Sequence, residues 1–196
     1  MPFAAPRHDA VAARRPGRFR AGWRAAHQPV PGVSPHLRRT AYAVPLVVLP
    51  SSLWRLPAAF DRGSGWGEGL YIVSLSVVSE LLAFAAIGLV ARWGEVFPRW
   101  VPGLGGNRVP TKAAVIPAAL GATVLTLAFT VLAIVNEVRG TTMRGDDLPA
   151  DFPGEAGGWE AAWFYLCYTP LILWGPLLAV LTVAYAKRRR GEKRAA

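Results

Sequence analysis

Residues 113–135 read AAVIPAALGATVLTLAFTVLAIV, and no charged side chain interrupts them. At about 1.5 Å per residue an α-helix of this length exceeds the roughly 30 Å hydrocarbon layer of a bilayer. Its three threonines, Thr123, Thr126 and Thr130, stand among Gly121, Ala122 and Ala128. Hydroxyl and small residues of this kind let helices approach closely in lipid, so they are read as packing residues rather than as a ligand path.

Outward from this stretch the same signature recurs. Residues 70–90 carry one charge, Glu80, between aromatic flanks (Trp66, Tyr71) and a basic flank (Arg92, Trp93). Residues 161–186 start among Trp159, Trp163, Phe164, Tyr165 and Tyr168 and stop against Lys187-Arg188-Arg189-Arg190. Aromatic and basic flanks are the usual interface anchors of a membrane helix. Residues 42–60 are weaker, with Pro45, Pro50, Pro57 and Arg55 in the run. The prolines predict kinks, which membrane helices tolerate when neighbours satisfy the freed carbonyls. Pro170 and Pro176 raise the same expectation of a hinge or cavity in the fourth span, although proline is common in such helices.

The expected fold is therefore all-α, a bundle of four transmembrane helices over residues 40–186. A disordered basic tail (1–39) precedes it and a short basic tail (187–196) follows. The first 39 residues mix arginine, proline, glycine and alanine without apolar periodicity and cannot offset the entropy of ordering. They lack the apolar core that a cleaved signal peptide places before its cleavage site.

Composition supports this. The chain is 53% hydrophobic yet carries a formal charge of +10, so its charges must be segregated from its apolar residues. Most of the basic residues fall in the N-terminal tail, in the 92–112 loop (Arg92, Arg99, Arg108, Lys112) and in the C-terminal tail, while the 61–69 connection has only Arg62 and the 137–160 loop Arg139 and Arg144. The 137–160 loop is acidic, with Glu137, Asp146, Asp147, Asp151, Glu155 and Glu160. Basic loops stay in the cytoplasm, which places both termini and the 92–112 loop inside a plasma membrane and the acidic loop outside.

The single cysteine, Cys167, excludes an internal disulfide and cysteine-pair metal or redox motifs. His8, His27 and His36 all lie in the N-terminal tail, which removes histidine chemistry from the apolar region. No metal site, cofactor motif or catalytic set is expected. Gly103, Gly105 and Gly106 do not form a phosphate loop, because no strand precedes them and no Lys-Ser/Thr follows.

Glu80 is the most informative residue, since a charge near the centre of a span costs about 2.5–3.5 kcal/mol on insertion scales. Ser76 lies one turn before it, and Arg55 in the first span is its natural partner. Glu80 is read either as structural, an interhelical pair or a protonated hydrogen-bonding glutamic acid, or as a proton or cation site. Arg99, Arg108 and Lys112 are candidates for anionic lipid headgroups, because basic residues at such a surface are worth about 1 kcal/mol each. The basic tails carry no nucleic-acid reader motif, so nucleic acid is not an expected partner. The expected partners are the bilayer, its anionic lipids, and a second copy or another membrane protein.

The run W-G-x-x-x-P-R-W-x-P-x-x-G-G-x-x-V-P from Trp93 to Pro110, with Ser79-Glu80-Leu81-Leu82 before it and Ala113-Ala114-Val115-Ile116-Pro117-Ala118 after it, carries a resemblance. It resembles a group of uncharacterised small four-helix membrane proteins of Streptomyces and related actinobacteria, over roughly residues 40–186. The resemblance implies topology and source and brings no catalytic residues with it. Three function classes follow from the sequence: a non-catalytic accessory or structural membrane component; a small oligomeric transporter built on Glu80; and a membrane-embedded enzyme acting on a lipid or isoprenoid. For the last, Glu80 with Arg55, or Glu137 with Asn136, are the available polar pairs.

Overall fold

The computed structural model describes residues 30–61, 65–97, 103, 105–140, 147, 152–154 and 157–195. Among these the chain is helical: α1 (Pro35–Ala59), α2 (Trp66–Ala85), α3 (Thr111–Arg139), α4 (Gly158–Tyr168) and α5 (Trp174–Ala195). A 3-10 turn (Ala86–Leu89) extends α2, and another (Thr169–Leu173) joins α4 to α5 into one rod. Three units are long and apolar enough to cross a membrane: 66–89, 111–134 and 158–192.

Helix α1 begins earlier than the hydrophobic run suggests. The Ser34 side chain accepts the Leu37 amide at 3.3 Å and Pro35 occupies the first turn. A capping oxygen and a proline with preset φ are an efficient start. Residues 35–39 are thus helical rather than part of a disordered tail. Ahead of them Val30 is 8% exposed, and its amide donates to the Val90 carbonyl at 3.3 Å. The remainder of the expected tail, residues 1–29, lies outside the described residues. At the other terminus α5 runs on to Ala195, so the expected basic tail is mostly helix.

Pro45, Pro50 and Pro57 all sit inside the single helix α1. Pro170 acts more strongly. Its missing amide and its clash with the carbonyl four residues back are accommodated by the 3-10 geometry of Thr169–Leu173. Pro176 falls in the first turn of α5, where no intrahelical donor is required.

The helices are arranged as an open row. α1 lies between α2 on one side and the α4–α5 rod on the other. α3 packs along α5 and the 3-10 turn before it. At the α3–α5 crossing Gly175 approaches Thr126 and Ala122 so closely that a β-carbon would meet their backbone and the Thr126 hydroxyl. The expectation that small residues and threonines mediate close packing holds at this crossing. Because α3 is an edge, Ala122 is its one fully buried residue among its described side chains. Its other flank, including Ile116, Leu120, Val124 and Leu127, is exposed.

The core gathers toward the basic end of the row, where Val44 and Val48 of α1 meet Ile87, Leu181 and Tyr185. At the opposite end Phe164 is a hub, 6.3 Å from Trp54, 5.2 Å from Phe152 and 4.7 Å from Tyr168 between ring centroids. Trp66, Trp159 and Trp163 remain exposed there.

Candidate functional site

Two polar assemblies stand out, one midway along the α1–α2 seam and one at the basic end. The seam has a measurable register. A β-carbon on Gly69 would stand 2.6 Å from the Ala59 carbonyl oxygen, and the Ser76 hydroxyl donates to the Ser52 carbonyl at 3.4 Å. In this antiparallel register Val73 stands level with Arg55, and Val48 stands level with Glu80. The two charged residues are therefore separated by about 10 Å along the helix axes. No ion pair joins them among the described residues, and the expected direct Arg55–Glu80 contact is not formed. On its other flank Arg55 has Tyr168 of α4 as its ionisable neighbour.

Ser51, Ser52 and Ser76 are buried along the same seam. The Ser51 hydroxyl turns back to the Val48 carbonyl at 2.8 Å. Ser52 Oγ, Arg55 Nε and Glu80 Oε2 are each buried with no hydrogen-bond partner among the described residues. A buried polar atom left dry costs about 1–3 kcal/mol, so three in one seam form a demanding arrangement.

The basic end is built from the 92–109 segment and α5. Trp93 stacks on Phe84 with centroids 6.1 Å apart. A β-carbon on Gly88 would meet the Trp93 ring at 2.8 Å, and one on Gly94 would collide with the Gly88 carbonyl. The chain then folds back as a short hairpin. Phe97 donates to Asn107 at 2.9 Å, Gly106 to Phe97 at 2.9 Å and Val109 to Glu95 at 2.8 Å. Gly103 and Gly106 have φ of +75° and +83°, which explains the glycine-rich stretch as a chain reversal.

Arginines of α5 close this hairpin from above. Arg188 donates to Glu95 at 2.6 Å, with each side chain 12% exposed, and to the Leu89 carbonyl at 3.2 Å. Arg189 donates to the Val109 carbonyl at 2.8 Å and pairs with Glu192 at 3.3 Å. Both guanidinium groups lie beside the buried Tyr185 ring, at 5.3 Å and 6.0 Å from its centroid. The described residues on both sides of this reversal are thus fastened to the helices, and Arg188 and Arg189, half of the Lys187–Arg190 run, serve that purpose.

Of the headgroup candidates, Arg108 is exposed and lies 3.9 Å from Glu192, while Lys112 is exposed in the first turn of α3. Arg99 lies outside the described residues, as do the side chains of Asn136 and Glu137. Sequence inspection missed the arginine cap because basic runs beside apolar helices usually reflect topology. The available signal was Tyr185 standing three and four residues before Arg188 and Arg189, on one helix face. An apolar cavity of about 280 Å³ also lies between α3 and α4, lined by Phe129, Phe152, Phe164 and Tyr168 among others.

No protein-family model, no curated protein and no solved structure matches this chain.

Proposed function

We propose that the protein is a four-span component of the plasma membrane, with both termini and the 92–110 segment in the cytoplasm, serving a non-catalytic accessory role beside a second copy or another membrane protein. The fourth span in this reading is supported by α1. It is 25 residues long, lies antiparallel to α2 and is flanked on its other side by the α4–α5 rod. A helix held between two crossing elements crosses with them. Its modest hydropathy has a physical basis, because a central helix faces protein on two sides and can carry Ser51, Ser52 and Arg55 there. The membership suggested by the Trp93–Pro110 run accords with this topology.

The observation that carries the accessory role is the open row. α2 and α3 occupy its two edges, each with a broad exposed apolar face, while the charged groups at the basic end are engaged in holding the chain together. Photo-crosslinkers placed at Val78 of α2 and Val124 of α3 in native membranes test it. A discrete adduct to one protein species from either position is expected. Adducts to lipid alone from both positions refute the role.

A further inference from the structure

Glu80 and Arg55 do not touch, yet both point toward the same level of the seam. Helical side chains lean toward the N-terminus of their own helix. α1 and α2 are antiparallel, so Arg55 leans from its level toward Ser51 and Ser52, and Glu80 leans the opposite way toward Ser76. The two serines that join the helices, Ser52 and Ser76, stand between them. α2 packs along α1, so the buried Glu80 oxygen lies in that seam. Ser52 Oγ and Arg55 Nε, also buried and without partners among the described residues, stand within one turn of each other on α1.

We propose that this seam holds one or a few ordered waters that join Arg55 to Glu80 as a solvent-bridged ion pair, with Ser52 and Ser76 completing the site. Glu80 Oε2 accepts, Arg55 Nε donates, the Ser52 hydroxyl does either, and the Ser76 oxygen, whose proton goes to the Ser52 carbonyl, accepts. That gives a bound water the two to four polar partners it requires. No direct ion pair joins the two among the described residues. Other charges on the elements packed against α2 are remote, and on the other flank of α1 the ionisable neighbour of Arg55 is Tyr168 of α4. Arg38, Arg39 and His36 lie more than two turns below the level of Glu80 on α1, the 3-10 turn Ala86–Leu89 has no titratable group, and Glu68 lies three turns away on α2 itself. The water-bridged pair keeps the glutamate ionised in the middle of the membrane and in contact with exchangeable protons. This goes beyond the accessory role and does not depend on it.

Infrared difference spectroscopy on the full chain in lipid nanodiscs tests the site, with Glu80→Gln subtracted from wild type to isolate the Glu80 signal. A carboxylate band in the wild type that becomes a carboxylic-acid carbonyl band in Arg55→Gln, and returns in Arg55→Lys, is expected. Transfer to D2O should shift the Arg55→Gln carbonyl band at least tenfold faster than in a variant that also carries Ser52→Val and Ser76→Val. If Glu80→Gln does not fold, Glu80→Asp serves as the reference, because it displaces the band without removing it. A protonated Glu80 in the wild type, or a carboxylate indifferent to Arg55, overturns the proposal.

Discussion

Glu95 and Arg188 show how a single contact can define an end of the molecule. The pair is short and largely withdrawn from solvent, and Arg188 also satisfies the Leu89 carbonyl. Removing one member leaves a charge without its partner, which costs about 3 kcal/mol or more. Glu95→Gln should therefore lower the unfolding temperature in detergent markedly, whereas Glu95→Leu with Arg188→Met should recover most of the loss. Thermal scans of the two variants beside wild type check this. Gly94 makes a second residue-scale prediction. Its β-carbon would meet the backbone of Gly88 rather than a movable side chain, so Gly94→Ala should destabilise by about 1–3 kcal/mol. Gly103→Ala is also strained, by its positive φ, but meets no neighbour and should cost less, about 1 kcal/mol. Glu80 and Arg55 were visible in the sequence as charges in apolar runs. Their separation was not, because it depends on the register between two helices, which contacts such as Gly69–Ala59 and Ser76–Ser52 fix.

Helices were the most legible level. The periodicity and length of residues 113–135 specify α3, and the aromatic start of the fourth span specifies α4. The element ends were less so. α1 starts at Pro35 because Ser34 caps it, a local hydrogen bond that composition averaged over a tail conceals. α5 continues through a run of like charges because Glu95, Glu192 and the Leu89 and Val109 carbonyls accept from it. Pro170 gives the prediction at this scale. Pro170→Ala restores an amide and should allow α-helix through 169–173, straightening the rod. The aromatic cavity beside that turn should change with it. Spin-label distances between positions 162 and 180, measured with and without the substitution, should lengthen; an unchanged distance would place the cause of the 3-10 turn in tertiary packing instead.

As a whole the molecule is a row with a basic end held by α5 arginines and with Trp66, Trp159 and Trp163 exposed at the other. In the proposed topology the exposed Arg108, Lys112, Lys187 and Arg190 face the cytoplasmic leaflet. Replacing Arg108 and Lys112 by glutamine should reduce the stabilisation conferred by phosphatidylglycerol over phosphatidylcholine, at about 1 kcal/mol for each residue at low salt. Unfolding temperatures in the two lipids measure it. A cysteine in the 141–150 segment, with Cys167 replaced by serine, should react with an impermeant thiol reagent on intact cells. Reaction only after permeabilisation would invert the orientation.

The sequence alone determined that the chain is helical, that three of its segments are long and apolar enough for a membrane, and which residues are costly to bury. These properties follow from local composition and period, because hydrophobic length and charge depend on no partner. Only the tertiary structure decided that the helices form an open row, that α1 is its centre, that Arg55 and Glu80 stand at different levels of their helices without a direct ion pair, and that terminal arginines fasten the hairpin. Each of those depends on interhelical register and on acceptors distant in sequence: Glu95 lies on another element from Arg188, and the Val109 carbonyl on another from Arg189. Backbone carbonyls are present at every residue, so nothing in the sequence marks which of them a buried arginine will choose.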